Sequence, residues 1–293
     1  MPKINIGNTK LFFDIYGSKL DIQKTVVKEK PTMIVLHGGH GMVDHTLYVE
    51  FWSQFSDIAQ VIFLDQRGCG RSDVTEKNEW NLAHWGQDIV DFCDALSIEK
   101  PIVAGVSMGG YVMCEYATKY PRHPGALIFC NTEARFDLHA VIEKFEELGG
   151  SEIANIAREN FLSPSPEIAK IYEERCIPFY AKNAYSKDEI KRCRQRREVF
   201  EHFCRNEFNT FNYLDEIHKI CCQTLFMVGE DSPGHPPQFA QEMADRIDKK
   251  RVTYHLFKNA GAAVYKDVPV ESYQVVKDFL MLISESKTCK KAN

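Results

Sequence analysis

No window of this 293-residue sequence approaches 18 uninterrupted apolar residues, so no membrane span is expected. The opening Met-Pro-Lys-Ile-Asn-Ile-Gly lacks a basic stretch followed by an apolar one, so no secretory signal is read. Positive charge is not in excess. The net charge of −5 offers no basic face to nucleic acid or anionic lipid. None of the 10 cysteines belongs to a C-x-x-C pair, which argues against a zinc ribbon or a thioredoxin-type site. Several lie in apolar runs, where a free thiol acts as a small hydrophobe. These absences set the expectations: a cytoplasmic protein, monomer or homodimer, with a small-molecule substrate and no cofactor, metal, nucleic acid or membrane partner.

What is present is an alternation of strands and helices. Two short alternating segments, 3–7 and 10–16, flank Gly7-Asn8 and read as an antiparallel hairpin. Apolar runs of buried-strand length follow at Thr32–Leu36, Val61–Leu64, Ile102–Ala104, Ala126–Cys130, Thr224–Val228 and Val252–Phe257. Helical patterns separate them: Asn81–Leu96, Met108–Tyr120 ending at Pro121, and Pro269–Ile283. This order predicts an α/β fold with a mostly parallel central sheet and helices on both faces. From 134 to 221 the strand signal disappears and charged helical sequence such as Asp188–Glu201 takes over. An insertion of that length is too long for a loop and reads as a helical cap. The domains are therefore 1–133 with 222–293 as the core, and 134–221 as the cap. The Lys-rich tail Ser284–Asn293 is expected to fray.

The sharpest chemical signal is Gly105-Val106-Ser107-Met108-Gly109-Gly110. It follows an apolar strand and opens a helix, so Ser107 would sit on a strained turn with its hydroxyl clear of the sheet at the positive end of that helix. His37-Gly38-Gly39-His40-Gly41 follows the strand Thr32–Leu36. Gly39 is the candidate for one oxyanion N–H, and Met108, the residue after the serine, for the other. Gly38, His40 and Trp52 are read as facing substrate, with core packing the competing reading for Trp52 and its neighbours Phe51 and Phe55. The turn Asp65-Gln66-Arg67-Gly68-Cys69-Gly70-Arg71-Ser72 is read as structural, its arginines pairing with carboxylates beneath the site.

With these segments the sequence resembles the α/β-hydrolase superfamily, close to its proline iminopeptidase-like branch. Asn131-Thr132-Glu133-Ala134-Arg135-Phe136 and Gly229-Glu230-Asp231-Ser232-Pro233 add to the likeness. It covers about 1–133 and 222–285, and the cap matches only in position. Proline iminopeptidases carry Trp after the serine, where this chain has Met108. The resemblance implies a serine hydrolase whose catalytic His lies in a loop after the last strand, in an Ala-Gly-His segment. Here that loop reads Asn259-Ala260-Gly261-Ala262-Ala263-Val264, with Ala262 in the histidine position. The expectation is a chain inactivated at Ala262, either by an introduced substitution or as a natural relative that has lost hydrolysis. Four other histidines, His40, His202, His235 and His255, are weighed as a substitute base. The acid is left open between Asp231 and Glu133. Serine lactonases resembling zearalenone hydrolase take their acid from the end of the strand that precedes Glu133.

The function expected is hydrolysis of a small ester, lactone or amide through an acyl-enzyme. The alternatives are an aminopeptidase of the proline iminopeptidase type and a non-catalytic small-ligand receptor on the same fold. A metal-dependent hydrolase using His37, His40, Asp44 and His45 is a remote third, because the first two are spaced three apart rather than two.

Overall fold

The computed structural model describes residues 2–23, 26–163 and 165–290, without the side chains of Gln23, Val26 and 285–290. Ten strands occur among the described residues: β1 (Lys3–Asn5), β2 (Lys10–Tyr16), β3 (Leu20–Gln23), β4 (Val26–Glu29), β5 (Thr32–Leu36), β6 (Gln60–Leu64), β7 (Ile102–Val106), β8 (Ala126–Cys130), β9 (Gln223–Gly229) and β10 (Val252–Phe257). Eight form one sheet in the order β1-β2-β6-β5-β7-β8-β9-β10. The pairs from β6 to β10 are parallel, and β1 and β2 join antiparallel at one edge. The strands β5, β7 and β8 are buried along their whole length, as continuous apolar runs in a sheet covered on both faces should be.

Alternate residues feed two apolar layers. Ile34, Leu36, Val103, Leu127, Phe129 and Phe226 face one layer, and Met33, Val35, Ala104, Ile128 and Met227 face the other. The first is covered by α2 (Leu82–Ala95), α3 (Met108–Lys119) and α8 (Pro237–Ala244), the second by α1 (Val49–Trp52), α9 (Val264–Asp267) and α10 (Pro269–Lys290). Asn81 caps α2 by accepting the His84 N–H. Phe129 and Phe226 stack at 5.3 Å across β8 and β9, and truncating either ring would cost about 3–5 kcal/mol.

Between β8 and β9 lie α4 (Leu138–Leu162), α5 (Pro166–Arg175), α6 (Lys187–Arg192) and α7 (Arg197–Asn206). Asp137 caps α4, which breaks direction at Gly150, where φ is +80°. Val141, Phe145, Ile153, Tyr172 and Cys176 build a small core of this inserted segment, which also takes in Phe239 of α8.

Two expectations need correction, and one element was not anticipated. The helical stretch Asp188–Glu201 is two helices, because the capping box Ser186/Glu189 starts α6 and Cys193 turns extended to end it. The hairpin β3–β4 has no counterpart in the sequence reading. Its Leu20, Ile22 and Val27 are exposed, so no buried face marks it. The tail expected to fray from Ser284 continues α10 as far as Lys290, and 291–293 lie outside the described residues.

Candidate active site

Ser107 stands between β7 and α3 at φ +51° and ψ −121°, a region a non-glycine residue occupies only when its surroundings enforce it. Here they do. The Ser107 N–H donates to the Cys130 carbonyl at 3.0 Å, and its own carbonyl accepts from Gly110 N–H and Thr132 Oγ1, both at 2.8 Å. The turn closes because its glycines leave room: a Cβ on Gly109 would lie 2.6 Å from the Leu36 carbonyl oxygen, and one on Gly110 would run into Thr132. The serine is half-buried at the N-terminus of α3.

The imidazole beside it belongs to His235, in the connection from β9 to α8. Its Nε2 lies 2.9 Å from Ser107 Oγ, and its Nδ1 bonds Oε2 of Glu133. Glu133 follows the end of β8 and is buried with 1% exposure, and His235 is 7% exposed. A carboxylate only accepts, so the proton sits on Nδ1 and Nε2 turns its lone pair to the serine hydroxyl. The other carboxylate oxygen, Oε1, accepts from the Tyr111 hydroxyl of α3. Burial and the neighbouring Glu133 charge push the Tyr111 phenol well above its ordinary range, so it stays a donor.

This arrangement corrects the reading at position 262. Ala262 donates its N–H to the Tyr180 carbonyl at 2.6 Å, and its carbonyl accepts from Asn131 Nδ2 at 2.8 Å. The loop that was expected to hold the base is thus bonded to the inserted segment instead. The expectation of an inactivated chain rested on the lack of an imidazole beside Ser107, and the His235 ring stands there. Asp231 is also set aside: its carboxylate pairs with Lys182 at 2.8 Å, and Glu133 is the carboxylate that meets the imidazole. Of the remaining histidines, His255 pairs with Glu271 at 2.7 Å and His202 packs edge-on to Trp80.

Gly39 has φ +49°, and Met108 opens α3, where the first-turn N–H groups have no intrahelical acceptor. Gly38 presses on the site: a Cβ there would lie 2.9 Å from the Val106 carbonyl and 3.1 Å from Ser107 Cβ. Its N–H donates to the Tyr48 hydroxyl at 3.1 Å. His40 and Trp52, read as substrate-facing, are both fully buried. The His40 ring stacks on Trp85 at 4.3 Å and bonds Gln66 Oε1 at 3.0 Å. Burial, with His37 nearby, pushes its pKa down to about 3. Trp52 packs edge-on to Phe51 inside the core.

The candidate metal set does not assemble. His37 and His40 both bond Gln66, while Asp44 and His45 gather with Asp65, their ligand atoms within 4.8 Å. That cluster is neutralised from within. Arg71 binds Asp44 at 2.7 Å, and His45 Nδ1 meets Asp65 at 2.7 Å. Burial alone would lower the His45 pKa, but the bond to Asp65 and the charges of Asp65, Asp44 and Asp14 together outweigh it and raise it. The companion Arg67 is held by Asp88 at 2.6 Å and Glu79 at 3.0 Å.

The inserted segment grips the site from two sides. Arg196 donates its N–H to the Gly41 carbonyl at 2.6 Å and its guanidinium to the carbonyls of Gly68 and Ser72. On the other side the Tyr180 ring covers Gly234, where a Cβ would come within 2.6 Å of it, and its hydroxyl meets Tyr172 at 2.7 Å.

The family model described as alpha/beta hydrolase fold matches residues 31–269, and the chain belongs to that family; it is a hydrolase of α/β fold. Among its relatives is the proline iminopeptidase PfmaB of Pestalotiopsis fici, 23% identical over 271 residues that span 87% of this chain and 93% of the relative. The fold is similar to that of the proline iminopeptidase of Mycobacterium smegmatis, with a TM-score of 0.80 and 21% identity across 98% of this chain and 99% of that one. The enol-lactonase of Burkholderia xenovorans aligns at a TM-score of 0.70 and 17% identity, over 96% of this chain and 100% of its own.

Proposed function

We propose that the chain is an active serine hydrolase that cleaves a small ester, lactone or amide through an acyl-enzyme. The observation that carries the reading is the hydrogen-bonded chain from Ser107 Oγ through His235 to Glu133. In it His235 takes the serine proton as Oγ attacks the carbonyl carbon, and Glu133 stabilises the imidazolium that forms. The N–H groups of Gly39 and Met108 receive the developing oxyanion, a contribution of about 3–4 kcal/mol per donor in related chemistry. The imidazolium returns its proton to the leaving group, and water, deprotonated by the same His235, then releases the acid. Residues 134–221 act as a cap that limits access to Ser107, in keeping with the contacts of Tyr180 and Arg196. The nine cysteines whose side chains are described are all free, which favours a cytoplasmic setting; Cys289 lies outside them.

A second reading, an aminopeptidase of the proline iminopeptidase type, is favoured by the near-full-length alignment with PfmaB. A non-catalytic receptor has no use for a base aligned on the serine. The test is labelling by a fluorophosphonate probe together with turnover of p-nitrophenyl esters and proline p-nitroanilide. The chain as it stands should label and turn over at least one of these. Ser107→Ala should abolish both signals, His235→Ala should lower turnover by about 10⁴-fold or more, and Ala262→His should bring no gain. An unlabelled chain, or one whose activity needs Ala262→His, overturns the proposal.

A further inference from the structure

We infer that Tyr111 is a positioning residue for the proposed catalytic acid, holding the Glu133 carboxylate at the angle at which it meets His235. The inference rests on the Ser107–His235–Glu133 reading. A buried carboxylate has two oxygens to satisfy, and an oxygen without a donor there is costly. His235 Nδ1 serves Oε2, and the Tyr111 hydroxyl serves Oε1. No Lys or Arg pairs with Glu133 among the described residues, so the phenol takes the place of a cation.

The placement of Tyr111 gives this bond its leverage. It lies four residues beyond Ser107, one turn along α3, so the helix that presents the serine also holds the acid. Its ring is fully buried and fixed on several sides. Phe211 packs at 4.6 Å between ring centroids, and His235 stands edge-on at 6.2 Å. Phe203 lies at 6.5 Å, so the inserted segment helps to lock the ring. Losing the hydroxyl leaves Oε1 free of its donor, so the carboxylate can turn away from Nδ1. Substrate binding should be spared, because the phenol faces Glu133 and not the serine.

The test is Tyr111→Phe, which keeps the ring and removes the donor, measured beside Glu133→Gln and the double variant. We expect kcat to fall roughly ten- to hundredfold with KM changed less than about twofold. In the Glu133→Gln background the same change should cost less than about twofold. The low-field proton resonance of His235 Nδ1 should move in Tyr111→Phe. Unchanged kcat and an unmoved resonance in Tyr111→Phe, with Glu133→Gln inactive, overturn the inference alone. A fully active Glu133→Gln overturns the underlying reading instead. If Tyr111→Phe does not fold, a Tyr111 hydroxyl proton seen at low field in the unsubstituted chain and lost in Glu133→Gln supports the inference; its absence from the unsubstituted chain refutes it.

Discussion

His40 should make this protein acid-labile by a predictable amount. Its ring is fully buried, stacked on Trp85 and bonded to Gln66, and its pKa falls from 6.5 in the unfolded chain to about 3 in the fold. The sign follows from which state binds the proton. Below 6.5 the unfolded chain takes one up that the folded chain refuses, so stability is complete above that pH and is lost as pH drops towards 3. Between pH 8 and pH 5 the loss comes to about 2 kcal/mol from this side chain alone. The perturbation is His40→Phe, which keeps an aromatic ring over Trp85 and cannot be protonated. Urea unfolding at pH 8 and pH 5 is the assay. The variant should be weaker at pH 8 by about 1 kcal/mol, for the bond lost to Gln66. Its own loss on going to pH 5 should be smaller by about 2 kcal/mol than that of the unsubstituted chain. His37, also depressed by burial, supplies acid sensitivity to both proteins and cancels in the comparison. Equal losses in the two proteins would refute the reasoning.

Two further outcomes are expected. Asp231→Asn should leave ester turnover within about twofold, since that carboxylate pairs with Lys182; a loss beyond about a hundredfold would return Asp231 to the acid's role. Asp88→Asn should cost about 3–5 kcal/mol in urea unfolding, because the Arg67 it grips at 2.6 Å is 3% exposed; a cost under about 1 kcal/mol would show that Glu79 and Asn8 suffice for that guanidinium.

The sheet and the serine turn were legible because each is written in consecutive residues. Ile102–Ala104 followed by Gly105-Val106-Ser107-Met108-Gly109-Gly110 announces a strand, a tight turn and a helix within nine positions. Glu133 was equally local, as one of the two carboxylates weighed for the acid, just past an apolar strand. The proposed base was harder. Which histidine reaches Ser107 depends on which loop leans over β7, and that is a matter of packing. A hint existed nevertheless: Gly234-His235-Pro236-Pro237 follows β9, the place where the acid was sought, and an acid carried one strand earlier invites a base carried one strand earlier. His40 looked like a site residue because it sits in a glycine loop, yet its ring turns inward to Trp85 and Gln66. Tyr111 left no trace, since an aromatic at helical spacing reads as core, and most of its ring is core.

Ser107, His235 and Glu133 follow β7, β9 and β8, three adjacent strands inside the β10 edge of the sheet, while Ala262 beyond β10 holds on to Tyr180. On the proposed mechanism, the marginal strand and the segment after it take no part in the bond-breaking and anchor the inserted segment instead. Damage along that border should then register as altered traffic of substrate and product, with the intrinsic speed of the reaction governed farther in.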